Sequence, residues 1–172
     1  MKWVALAAGL VVLAVAVVAL VGSLLPRHHV ASRSARFHRP LQAVWDVVAE
    51  PLGAARWRGD LRSVERLPDR EGRLVWKETG RKGDALTLEL VADEPPRRRV
   101  VRIADPSLPF GGTWTYELAD EGDAVRVTIT EHGEVRNPVF RFLARFVFGH
   151  GATMETFLKL LGVHLGEQVT PS

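Results

Sequence analysis

Four residues of this chain could move a proton and lie where they could meet: Glu78, Tyr116, Glu131 and His132. They sit in runs where polar and apolar residues alternate, so a period of two assigns each a face. Counting from Leu74 and Trp76 puts Glu78 on an oily face, and counting from Val127 and Ile129 does the same for Glu131. Tyr116 falls in step with Trp114 and Leu118. A carboxyl aimed at an apolar interior is costly unless paired, and such environments tune groups for acid–base work. Both glutamates also lie near the ends of their runs, where a bulge can reverse parity, so strand ends are the expected explanation of each. His132 and Arg141 are the nearest candidate partners, and a Glu131–Arg141 pair would be a structural bridge across the turn.

Other chemistries lack their signatures. No H-E-x-x-H, P-loop, G-x-G-x-x-G or G-x-S-x-G occurs, and His28, His29, His132, His150 and His164 have no metal-ligand spacing. Neither a metal nor a cofactor is expected, and the two adjacent histidines at 28 and 29 read as juxtamembrane residues. The chain has no cysteine, which excludes disulfides and thiolate chemistry. Arg97 to Arg99 form a basic run, but it is turn-bound and lacks interleaved aromatics, so nucleic acid is not an expected partner. The formal charge of +3 and pI of 9.8 come largely from arginine and suit an anionic membrane surface at least as well. The sequence carries no signal for an oligomeric state.

Apolar binding is the second chemistry available. Trp76, Leu88, Trp114, Tyr116, Val127 and Phe157 occupy the faces that a sheet and a terminal helix would turn toward each other. Such side chains either fill a core or wall a site for a lipid or polycyclic molecule, and residue type alone leaves both open. Leu108 and Phe110 lie in the loop 105–112, where a plain solvent turn needs no apolar residue; they pack on the long helix or border a ligand. Phe140, Phe142, Phe146, Val147 and Phe148 make the start of that helix oily on more than one face. Burial of both sides is expected, with contact to bilayer or ligand as the alternative.

The elements that must position these residues follow from periodicity and breakers. With 172 residues, 47% of them hydrophobic, the chain can bury one good core. Residues 30–38 alternate as a first strand. Pro40 opens a helix with Leu41, Val44, Trp45 and Val48 on one face, and Pro51 starts a shorter one holding Leu52, Ala55 and Trp57. From Leu61 the period becomes two, and Gly, Pro and Asp turns near 68–72, 80–84, 94–97 and 121–123, with the longer loop 105–112, divide six strands. After Val135, Asn137 as cap and Pro138 at the first position begin one long helix running to Gly166. Its stripe is Val139, Leu143, Phe146, His150, Met154, Phe157 or Leu158, Leu161 and Leu165, broken in character only at His150.

This order, with F-x-x-P-L-x-x-V-W-x-V-V at 37–48, G-T-W-T-Y-E-L at 112–118 and V-T-I-T-E-H-G-E-V-R-N-P at 127–138, resembles the START-related superfamily of polyketide cyclases, lipid-transfer domains and ligand-binding plant proteins. The likeness covers about residues 30–168. It implies an α+β helix-grip fold, a curved antiparallel sheet of seven strands wrapped on a C-terminal helix with an apolar cavity between them. In related ligand-binding receptors the loops equivalent to 80–84 and 105–112 close over the pocket mouth.

Residues 4–25 contain nothing more polar than Gly9, Gly22 and Ser23, and as a helix they would span about 33 Å at about 1.5 Å per residue, enough to cross a bilayer. A cleaved signal peptide, cut near Ala14-Val15-Ala16, is the competing reading, but the apolar run continues well past that point. The expected organisation is an anchor at 1–26, the domain at 27–168 and a tail at 169–172. Arg27, Arg33, Arg36 and Arg39 follow the span while only Lys2 and the amino terminus precede it, which places the domain on the cytoplasmic side. A tether of 26–29 reaches no more than about 14 Å at roughly 3.5 Å per residue, so the domain lies close to the headgroups. The expected function is a membrane-anchored domain binding a lipid or other hydrophobic molecule. A polyketide cyclase or dehydratase using Glu78, Tyr116, Glu131 or His132 is the alternative, and a protein-interaction module with a collapsed cavity is a third.

Overall fold

The computed structural model describes residues 2–149 and 151–172. His150, with its expected place in the helical stripe, lies outside the described residues, as does the side chain of Phe148. Helix α1 (Lys2–Leu24) is an apolar rod of 23 residues, long and apolar enough to cross a membrane. Strand β1 (His28–Phe37) follows almost at once. Helix α2 (Leu41–Val48) buries Val44 and Trp45, while the second expected helix is only a 3-10 turn at Ala54–Arg56.

Six strands then run as a meander: β2 (Leu61–Arg70), β3 (Arg73–Gly80), β4 (Ala85–Glu94), β5 (Arg98–Ile103), β6 (Phe110–Asp120) and β7 (Val125–Val135). Short turns make each strand fold back on its predecessor, and β1 closes against β7, giving the antiparallel order β1-β7-β6-β5-β4-β3-β2. Strand β2 runs through Pro68 and turns at Glu71-Gly72, both with positive φ, rather than stopping at Leu67. The seven-stranded α+β helix-grip architecture is the one the resemblance implied.

The terminal helix departs from expectation. Asn137 does cap it, its Oδ1 accepting from the amides of Val139 at 2.9 Å and Phe140 at 3.2 Å, with Pro138 in the first turn. Helix α3 (Pro138–Leu143) nevertheless gives way to a π-helical segment at Ala144–Phe148, and a separate helix α4 (Ala152–Leu165) follows. The break has a local cause, because Gly149 holds φ 71 and ψ 162, a conformation essentially confined to glycine. The first turns are not buried on both sides either, since Phe146 and Val147 are each 60% exposed.

Helix α3 packs instead on the end of α1. Gly22 is buried there, and a side chain on it would run into the Pro138 carbonyl. The Arg141 guanidinium donates to the Leu25 carbonyl at 2.8 Å and the Ser23 carbonyl at 3.5 Å, satisfying acceptors at the α1 terminus. Arg141 is thus a clamp on α1 and not the partner of Glu131. The Val135 amide donates to the Arg27 carbonyl at 2.8 Å, and His28 and His29 of the expected 26–29 tether belong to β1.

The main core lies where α2 and α4 cross β1 and β7. Phe37, Val44, Val127, Ile129, Met154, Leu158 and Leu161 are all 0% exposed. Residues at the chain end cover the outer edge of β1, where Ser34 and Ser172 exchange backbone hydrogen bonds of 2.9 and 3.0 Å. On the convex face Glu89 of β4 accepts from Arg73 at 3.1 Å and Arg102 at 2.7 Å.

Two outcomes follow from this packing. Leu158→Ala should destabilise the domain by about 2–5 kcal/mol, and Val163→Ala, at a 70% exposed position, by less than about 0.5 kcal/mol in chemical denaturation. Hydrogen bonds from Arg102 and Arg73 hold the Glu89 carboxyl below its ordinary value against the opposing effect of burial. Its contribution is therefore present above the unfolded value, about 4.3, and is lost as pH falls through the lowered folded value. Glu89→Gln should flatten that acid limb of the stability profile, and an unchanged limb would refute the pairing.

Candidate functional site

The fourteen residues of α4 extend about 21 Å, whereas the eleven of β6 or β7 extend about 36 Å. The part of the concave face that α4 leaves uncovered borders a cavity of about 360 Å³. That is within the roughly 300–1,000 Å³ range of small-molecule pockets.

Strand parity decides which side chains reach it. Trp76 and Glu78 come from β3, Leu88 from β4, Phe110, Trp114 and Tyr116 from β6, and Glu131 from β7. Phe157 of α4 forms the opposite wall, its ring centroid 5.4 Å from those of Trp57 and Tyr116 and 6.4 Å from that of Trp114. Phe140, Ala144, Gly149 and Thr153 border the end beside α3. The geometry leaves four other candidates out. Val127 shares the inward face of β7 but lies under α4 in the solid core. Leu108 stays in the loop, where its carbonyl accepts from Arg136 at 3.2 Å. Phe146 lies with its ring tilted against that of Phe142, centroids 4.9 Å apart, and faces outward. His132 falls on the convex, exposed face of β7, one residue out of step with Glu131.

The two glutamates do point inward, because β3 and β7 continue past them without ending. Each is paired twice. Glu78 accepts from the Trp76 indole at 3.2 Å and from Arg58 at 2.8 Å. Glu131 accepts from the Trp114 indole at 3.0 Å and lies 3.1 Å from His29 Nε2. A carboxylate at each tryptophan satisfies the indole N–H and fixes the ring as a wall, which offsets the cost of burying the acid. His29 is therefore an inward residue of β1 and not a juxtamembrane one. It reaches Glu131 by lying over Gly133, where a side chain would collide with the imidazole.

Three basic residues were not legible as site residues. His29 is one, and Arg58 and Arg99 are the others. Burial opposes the Arg58 charge, but Glu78 and Asp60 outweigh it and raise its pKa. Arg99 is the reverse case, lowered by burial that Asp93 only partly offsets, though an arginine stays charged. It lies in β5 with its side chain inward, not in a turn. Counting back by two from Ile103 and Val101, which also line the cavity, would have found it. Burial pushes the Tyr116 hydroxyl far above its ordinary value, with Glu78 adding to the effect and Arg58 and Arg99 opposing it, so it is a hydrogen-bond donor and not a base.

A curved sheet gripping a C-terminal helix around a walled hollow defines the class of hydrophobic-cavity domains. Residues 28–161 match the family model for polyketide cyclase/dehydrase and lipid transport proteins, and the chain belongs to that family. Among solved structures it is similar to a START superfamily protein from Mycobacterium smegmatis, with TM-score 0.64 and 14% identity over 80% of this chain and 97% of that one. It is also similar to the ZhuI aromatase/cyclase from Streptomyces sp. R1128, with TM-score 0.62 and 16% identity over 81% and 92%. Norcoclaurine synthase from Thalictrum flavum matches with TM-score 0.63 and 11% identity over 82% and 88%. At these identities the likeness is one of fold. No curated protein matches in sequence.

Gly133→Ala should cost about 1–3 kcal/mol by forcing His29 aside, and the same change in a His29→Ala background should cost distinctly less. Equal costs in the two backgrounds, measured by denaturation, would show that His29 is not what the glycine accommodates. Trp114→Ala, next to an existing hollow, should cost less than the roughly 3–5 kcal/mol of a fully packed aromatic such as Phe37→Ala.

Proposed function

We propose that this chain is a membrane-anchored domain that binds a lipid or other hydrophobic small molecule in the cavity between sheet and terminal helices. The observation that carries this reading is the cavity itself, walled by Trp76, Trp114, Tyr116 and Phe157 with both tryptophan N–H groups already satisfied. Such walls favour an apolar guest, gaining on the order of 25 cal/mol per Å² removed from water, less the cost of ordering it. Residues 1–26 are the anchor, 27–168 the binding domain and 169–172 its tail. An uncleaved anchor is supported by the packing of Gly22 on Pro138 and the grip of Arg141 on the end of α1. Arginines after the span favour a cytoplasmic domain.

A cyclase or dehydratase is the second reading, favoured by the convergence of Glu78, Tyr116 and Glu131 on one cavity. Against it, each carboxylate already accepts from an indole and lies against a basic partner, a pairing that the cost of burying the acid explains without catalysis.

The full chain, extracted from membranes into lipid nanodiscs, should carry a hydrophobic molecule detectable by native mass spectrometry. Val101→Trp, which fills the hollow from β5, should abolish that cargo while leaving the thermal transition cooperative. A chain that is always empty and that resists carbonate extraction no better than a soluble protein would overturn the proposal.

A further inference from the structure

The cavity wall carries two closely paired polar groups, Glu78 with Arg58 and Glu131 with His29, and a further cation, Arg99, that is held less closely. Arg99 is only 4% exposed, projecting inward from β5 beside Val101. A guanidinium is permanently charged and carries five donors. Among the described residues Arg99 makes one long hydrogen bond, Nη1 to the Val48 carbonyl at 3.4 Å. Its Nε has no hydrogen-bond partner and forms only a long ion pair, 3.6 Å to Asp93 Oδ1. Arg58 shows the contrast, held by Glu78 and by Asp60 at 2.8 Å each. Glu50, which also lines the cavity, accepts from the Gly53 amide at 3.1 Å through one of its two oxygens. Buried donors left unmatched cost stability unless something supplies the acceptor.

A second group with a donor to spare faces the same spot. Tyr116 pairs with Arg99 across the β5–β6 ladder, lines the cavity, and its hydroxyl has no hydrogen-bond partner among the described residues. From Tyr116 the inward positions of β6 lead through Trp114 to Phe110, six residues or about 20 Å along the strand. Phe110 pairs with Val135, and Phe140 of α3 borders the same end. The hollow thus has a polar end at Arg99 and Tyr116 and, next to the terminus of α1, an oily end at Phe110 and Phe140 that also carries the Glu131–His29 pair and Glu134.

We propose that the ligand is an amphiphile with one anionic group, a carboxylate or phosphate, received by the Arg99 guanidinium and the Tyr116 hydroxyl, with its apolar body extending along β6 toward Phe110 and Phe140. The proposal rests on the binding role of the cavity and specifies the ligand class. An oxyanion accepts in the plane of the guanidinium fork while the phenol donates from the neighbouring strand, so charge and donor geometry are supplied together. A neutral hydrocarbon would fill the walls and leave both groups unmatched.

The test uses the full chain in zwitterionic phosphatidylcholine nanodiscs and two fluorescent probes, 11-(dansylamino)undecanoic acid and its methyl ester. The acid should bind at least about tenfold more tightly than the ester, as expected of a hydrogen bond to a charged group. Arg99→Gln should remove that preference, bringing acid and ester to equal affinity, and Tyr116→Phe should reduce it in part. Displacement of the acid by oleate or by lysophosphatidic acid distinguishes a carboxylate from a phosphate source, and either result supports the site. Equal affinities for acid and ester in the unaltered chain would overturn the anionic ligand alone, a comparison independent of whether Arg99→Gln folds. Failure of both probes to bind would overturn the cavity's binding role and this proposal with it.

Discussion

The strands of the concave face run further than the helix laid across them, and much of this domain can be understood from that mismatch. Burying an apolar sheet face requires an apolar surface opposite it, and one unbroken terminal helix could have supplied enough. Gly149 prevents that by taking a backbone conformation that stops helical continuation, so α4 covers the end of the sheet near Phe37 and Val127. The other end is bordered by α3 and the π-helical segment, which turn toward α1. Between the two lies space that Trp76, Trp114 and Phe157 surround without filling.

The polar groups around that space are arranged by the same economy of partners that governs any interior. Glu78 and Glu131 lie on different strands, yet each accepts from one indole and lies within reach of one basic side chain. Burying these acids unpaired would be costly, and pairing supplies the compensation. Gly133 shows how local the requirement is, since a single missing side chain lets His29 cross from β1 to Glu131. Arg99, with one long hydrogen bond and a 3.6 Å ion pair to Asp93, is held less closely, and for that reason it is informative about what enters.

Much of the architecture was legible because it depends on short-range patterns. Alternation marked seven strands, Gly and Asp marked the tight turns, and Asn137-Pro138 marked a helix start that the hydrogen bonds reproduce. The inward direction of Glu78 and Glu131 was also in the parity, and it was discounted because an acid on an oily face looks like a strand end until its partners are known. Those partners, Arg58 and His29, come from other segments, 20 and 102 residues away in sequence. The break at Gly149 was missed because the apolar stripe keeps its period across it, and periodicity does not report backbone dihedral angles. Arg99 was hidden by its neighbours, since three consecutive arginines read as a solvated turn although alternation sends one of them inward.

Helix α1 is joined to this arrangement more closely than a tether would be, through the Gly22 contact, the Arg141 hydrogen bonds and the Arg27–Val135 link. The oily end of the cavity and the end of the apolar rod are therefore neighbours in one packed unit. The central claim is that the hollow is real, and crystallography under xenon pressure tests it most directly. The account predicts xenon density between Trp114, Val101 and Leu88, with those side chains unmoved. Side chains closed over that volume, with no xenon and no space for it, would contradict it.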